Sequence, residues 1–191
     1  MPTIENKQST DALRAKSAIG AMFVGAFGGA WIGAWSYLSM PGNLLALAAV
    51  AACTAALLAY AIGRFRRYRS ALEGEKDSPE KRRTDRLFHI VNTGQWVLMI
   101  IGGNVLANLG LSAWIVPCIM LIVGLHFLPL AYIFSRRPQY VLGVLLSAFA
   151  LGYPFLLPGG PNDPRGCLGA GLILWSYAAF ALTVTPAARR S

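Results

Sequence analysis

Six stretches of about 20 apolar residues fill most of this 191-residue chain, and that pattern limits its fold more than any single motif does. A helix rises 1.5 Å per residue, so about 20 residues cross a hydrocarbon core of about 30 Å. The stretches cover residues 17–38, 43–63, 87–107, 111–134, 139–157 and 167–186. In lipid each backbone N–H and C=O must be satisfied within the protein, which leaves helices or a closed barrel. No run alternates apolar and polar residues as barrel strands do. With 55% hydrophobic and 13% charged residues and a mean hydropathy of +0.51, a soluble domain is excluded. The expected fold is all-α: a polytopic membrane protein with six transmembrane helices in three antiparallel hairpins. A single transmembrane domain over 17–186 would lie between an irregular N-terminal tail, 1–16, and a short C-terminal tail, 187–191. Span one is too long for a signal-peptide core and should be retained as a helix.

Lys and Arg are distributed unevenly among the connections. Of 17 basic residues, all but Arg165 fall before span one, between spans two and three, between spans four and five, or after span six. By the positive-inside rule both termini are expected in the cytoplasm. The net charge of +9 is then a topological signal, and no nucleic-acid partner is expected from it. The loop 64–86 mixes nine basic and five acidic residues, with Phe65 and Tyr68 among the arginines. Contact with anionic lipid head groups is its expected role. The second helix should run on to a stop at Gly74. Ser78, Pro79 and Glu80 then supply an N-cap, a proline at the first helical position and an acid in the first turn.

In span one, Ala21, Gly25, Gly29 and Gly33 recur every four residues, so one face carries almost no side chains. Such a face suits a homo-oligomer seam or a neighbouring helix of the same chain, and the second use is the commoner. Trp31, Trp35 and Tyr37 suit an interfacial belt. Span two offers only Cys53, Thr54 and Tyr60 as polar features.

The polar residues of the apolar segments gather in residues 87–137, which also hold both histidines. On span three His89, Asn92, Gln95 or Trp96, Met99 and Gly103 share one stripe, because residues three and four apart share a helix face, while Asn104 and Asn108 point elsewhere. Span four carries Pro117 and Pro129, each expected to free a carbonyl four residues earlier, at Ala113 and Leu125. Leu125 directly precedes His126. At 1.5 Å per residue His126 lies about 15 Å inside the boundary marked by Arg136, near the depth of Gln95, whereas His89 lies only about 3 Å inside. The two histidines are too far apart for one metal or haem iron, so no metal and no cofactor is expected. His126, Gln95 and Asn92 are the leading candidate ligand-binding residues, with His89 and Asn104 behind them. A purely structural alternative is a hydrogen bond from His126 to Gln95 or Asn92 that locks the hairpin.

The run Gly124-Leu125-His126-Phe127-Leu128-Pro129-Leu130-Ala131, preceded by Val91-Asn92-Thr93-Gly94-Gln95-Trp96, resembles small multi-pass bacterial membrane proteins with a similar GLHFLPLA segment. The resemblance covers the central third of the chain. It implies a compact helical fold in the bacterial inner membrane and brings no activity with it.

Catalysis finds little support. No Asp or Glu lies in any span, Cys53, Cys118 and Cys167 lack metal-site spacing, and no P-loop, nucleophile elbow or HExxH motif occurs. Outside the membrane, the Pro- and Gly-rich turn 158–166 holds Asp163 and Arg165. Three roles remain open: a small-solute permease or channel lined by Asn92, Gln95 and His126; a non-catalytic membrane subunit that binds a partner; and a lipid-modifying enzyme using His126.

Overall fold

A computed structural model describes residues 4–72 and 78–184. Six α-helices follow one another: α1 (Ile4–Ser39), α2 (Leu44–Tyr68), α3 (Pro79–Asn108), α4 (Ile115–Ile133), α5 (Arg137–Leu156) and α6 (Arg165–Thr183). Each is long and apolar enough to cross a membrane. Short 3₁₀ segments extend α2 (Arg69–Leu72) and precede α4 (Ser112–Trp114) and α6 (Gly160–Asn162). The expected stop at Gly74 and the tail 187–191, with Arg189 and Arg190, lie outside the described residues.

The chain gathers into two compact units, one of residues 1–76 and 174–191, the other of residues 77–173. In the first, α1 starts far earlier than the irregular tail 1–16 would allow. Arg14 pairs with Asp11 one turn back at 2.9 Å, and Ala15, Ser17 and Ala18 are already buried, so this polar stretch gains from helix formation. Gly42 (φ +79°) turns the chain into α2, and the Asn43 side chain caps that helix by accepting from the Ala46 amide at 3.1 Å. The two helices pack antiparallel, Gly25 against Leu57 and Gly29 against Thr54. Gly25 also meets Ala178 of α6, and Trp175 Nε1 donates to the Gly25 carbonyl at 3.0 Å. A Cβ on Gly33 would meet only open space, so among the three glycines of the row the close approach is confined to Gly25 and Gly29.

In the second unit, α3 opens as its sequence dictates. Ser78 accepts from the Lys81 amide at 3.2 Å, with Pro79 and Glu80 in the first turn. It closes on a Schellman motif: Gly110 adopts φ +73°, Leu111 N–H bonds the Leu106 carbonyl at 2.8 Å, and Gly110 N–H bonds that of Ala107 at 3.1 Å. The same motif ends α4, with Ser135 at φ 50° in the glycine position and Arg136 N–H bonding the Ala131 carbonyl at 2.9 Å. Pro117 departs from expectation. It is the third residue of α4, in the first turn, where amides have no helical partner, so it helps start the helix and breaks no bond within it. Pro129 and Pro154 lie within their helices.

Helices α3, α4 and α5 pack consecutively, and the α4–α5 contact crosses between two of the expected hairpins. At Gly124 an added Cβ would lie 2.7 Å from the Ser147 backbone nitrogen, and at Gly143 it would lie 2.9 Å from the Gly124 carbonyl oxygen. The first half of α6 packs antiparallel on α5, with Gly166 under Tyr153 and Gly169 under Phe149. Outward faces stay apolar: Leu45 is 83% exposed and Phe155 77%. That suits a hydrocarbon surround and would be costly in water.

The turn between α5 and α6 is more ordered than its composition suggests. Asp163 is buried and accepts from the backbone amides of Gly159 (3.1 Å) and Arg165 (3.0 Å) and from the Arg165 guanidinium through both oxygens (2.9 and 2.6 Å). Tyr153 OH donates to the Pro161 carbonyl at 3.1 Å. Hydrogen bonds from the Arg165 side chain hold the Asp163 carboxyl well below the usual carboxylate range. Burial pushes the other way and loses, while the two backbone amides add to the lowering.

Two predictions follow from this packing. Gly29→Leu should cost about 1–3 kcal/mol of stability, because the β-branched Thr54 cannot swing clear, while Gly33→Leu should be nearly neutral in the same thermal unfolding series in detergent. Asp163→Asn should lower the unfolding midpoint at neutral pH. The folded carboxyl is the stronger acid, so its contribution is complete above the ordinary aspartate value of about 3.9 and fades as pH falls further. The gap between parent and variant should therefore hold down to about pH 4, narrow as pH falls below it, and close only when the folded carboxyl is itself protonated.

Candidate functional site

Helices α3 and α4 meet along a narrow apolar face in which a few polar groups are set. Gly102 lies against Cys118 and Ile122, and Phe88 lies 6.0 Å, centroid to centroid, from Phe134, so the pair is antiparallel along its length. This register brings Gln95 within a turn of the level of His126, as depth alone implies. On α3 the half-buried residues Phe88, Val91, Asn92, Gln95, Met99, Gly102 and Leu106 form one stripe at spacings of three and four. Asn92 and Gln95 therefore both belong to the face turned to α4.

His126 is half-buried on α4, with Phe127 edge-on at 5.9 Å. Its polar neighbour across the interface is the backbone of Val91, one turn from Gln95. The buried Nδ1 has no hydrogen-bond partner. The expected locking bond to Gln95 or Asn92 is thus not what engages that nitrogen. Asn92 and Gln95 remain on the same stripe, close in level, but neither side chain is joined to Nδ1. In an apolar setting an unpaired donor or acceptor costs about 1–3 kcal/mol, so this nitrogen is a costly feature for packing alone to retain.

The other candidates separate from this group. Asn104 is exposed, and its side-chain amide donates to the Ile100 carbonyl of its own helix at 2.8 Å. His89 is exposed about three turns into α3 with its ring edge-on to Phe88 at 5.7 Å. Neither reaches His126. Pro129, one turn beyond His126, cannot donate to the Leu125 carbonyl, which leaves that acceptor beside the imidazole in sequence.

Sequence reasoning missed the role of Gly124 and Gly143, because single glycines on two different helices form no row. It also missed Ser147, whose hydroxyl is buried without a partner next to Gly124. Gly124 and His126 are two residues apart and so about 200° apart around α4. Ser147 therefore lies on the far side of α4 from the imidazole and does not join the group.

The lining is neutral: two amides, an imidazole and a backbone carbonyl. Among the described residues no cluster of His, Cys, Asp and Glu could hold a metal ion. What the arrangement offers is a mixed set of hydrogen-bond donors and acceptors within an apolar wall. Comparisons with protein-family models, with curated proteins and with solved structures return no match. The functional reading therefore rests on geometry and chemistry alone.

Proposed function

We propose that this chain is a multi-pass membrane protein that admits a small, neutral, hydrogen-bonding solute between α3 and α4, as a permease or channel. One observation carries the reading: a histidine nitrogen is buried and unpartnered at an interface that also presents Asn92 and Gln95. Polar groups in lipid are expensive and usually serve a pathway or a site. The absence of carboxylates from the apolar stretches favours a neutral solute over a cation or a proton-coupled one. The asymmetry of Lys and Arg supports an orientation with both termini and the loop 64–86 in the cytoplasm. The GLHFLPLA resemblance supports a bacterial inner membrane. A second reading, a non-catalytic subunit that uses α3 to bind a partner, draws on α3 having no fully buried residue.

Osmotic flux in proteoliposomes tests the proposal. Vesicles holding the full chain should take up glycerol or urea faster than protein-free vesicles by light scattering, and His126→Leu should return the rate to the protein-free value. The variant should still fold, because a cross-helix hydrogen bond in a membrane is worth only about 0.6 kcal/mol on average. Parent vesicles no faster than empty ones for either solute would remove the permease reading and leave the subunit.

A further inference from the structure

Three guanidinium groups surround one aromatic ring where α1 and α2 leave the apolar segments. Around Tyr68, the guanidinium carbon of Arg14 lies 5.2 Å from the ring centroid, and those of Arg64 and Arg67 each lie 5.8 Å away. The antiparallel register that sets Gly25 on Leu57 and Gly29 on Thr54 continues to this point and brings Arg14 alongside Tyr68. Stacking on the ring satisfies the face of a guanidinium but none of its N–H donors.

The three cations differ in how those donors are used. Arg14 donates to Asp11 at 2.9 Å. Arg67 is exposed to its surroundings. Arg64 is half-buried, and its Nε and one terminal nitrogen, Nη2, are buried with no acceptor among the described residues. An uncompensated buried cation is strongly destabilising, and two further like charges within reach of the same ring worsen it. Among the described residues Asp11 offsets one of the three charges and leaves about two in excess.

We infer that Arg64, together with Arg67 and Arg14 around Tyr68, forms a binding site for a phosphate-ester group. Nε and a terminal nitrogen of one guanidinium form a fork that donates to two oxygens of a phosphate in parallel hydrogen bonds, which a single carbonyl or water oxygen cannot accept in the same way. Position points the same way. Arg64 directly follows the apolar run 43–63 and Arg14 shortly precedes the run 17–38, which is where lipid phosphates sit. This is a defined site within the first compact unit, distinct from diffuse attraction of the loop 64–86 to an anionic surface and independent of the solute reading for α3 and α4.

The test uses the full chain in a neutral detergent, followed by thermal unfolding in mixed micelles. Phosphatidylglycerol should raise the midpoint of the parent, while phosphatidylcholine at the same concentration should raise it far less. Arg64→Leu should bind phosphatidylglycerol about tenfold more weakly by lipid-adduct native mass spectrometry, the loss expected for one charge-assisted pair. Without anionic lipid this variant should melt no lower than the parent, because it removes an unpaired charge and keeps its volume. If millimolar inorganic phosphate alone stabilises the parent and not Arg64→Leu, the site stands and draws its phosphate from solution. Equal responses of the parent to the two lipids and to inorganic phosphate, or an unchanged response in Arg64→Leu, would overturn the inference. Should Arg64→Leu fail to accumulate, the exposed Arg67→Gln serves in its place: a weakened response supports the site and a full response overturns it.

Discussion

Without water to accept or donate, every backbone N–H and C=O inside a hydrocarbon layer must be paired by the chain itself, and this requirement underlies the rest of the structure. It makes the apolar segments helical and demands that each helix end be closed locally. The ends of α3 and α4 meet that demand with Schellman motifs, and the starts of α2 and α3 with Asn43 and Ser78. It also removes the usual drive for helices to associate, since lipid tails are as apolar as leucine. Close backbone approach must then supply the attraction, through dispersion summed over many contacts. Gly25 and Gly29 in the first unit, and Gly124, Gly143, Gly166 and Gly169 in the second, are where that approach occurs.

The same reasoning explains why the few polar side chains stand out. Thr54 and Thr183 return their hydroxyls to carbonyls four residues back, and Asn104 does the same with its amide. Trp175 reaches the Gly25 carbonyl, which the missing side chain leaves open. Against this background of local satisfaction, the unpartnered nitrogens of His126 and Arg64 are exceptions, and they lie in different compact units. One is set in a neutral interface and suits a neutral polar solute. The other is set among cations and suits an anion.

Much of this was legible in the sequence because length and hydropathy act locally. The six helices and the Ser78 cap each depend on a handful of neighbouring residues. Misreadings arose where distant segments decide. Residues 4–16 look like a polar tail, yet Ala15 is buried, as are Ser17 and Ala18 that follow it, and that burial favours the helix over an irregular tail. Pro117 looks like a break, but the 3₁₀ segment before it moves the helix start to Ile115. Composition places Asp163 and Arg165 in one Pro- and Gly-rich turn but leaves open that Arg165 and two amides enclose the carboxylate. Depth arithmetic placed Gln95 and His126 at one level correctly, but depth leaves rotation about each axis open. One residue is 100° of that rotation, enough to bring the Val91 backbone to the imidazole in place of an amide side chain.

The central claim is that position 126 faces a polar, solute-accessible space between α3 and α4. It is tested most directly by thiol labelling in oriented membranes. Cys53, Cys118 and Cys167 are replaced by serine, His126 by cysteine, and a small charged thiosulfonate reagent is added from the cytoplasmic side. The account predicts that Cys introduced at 126 is modified, that one introduced at the outward-facing Leu145 is not, and that glycerol or urea slows the modification. A residue 126 that resists the reagent as Leu145 does would show the imidazole sealed in a dry interface and contradict the account.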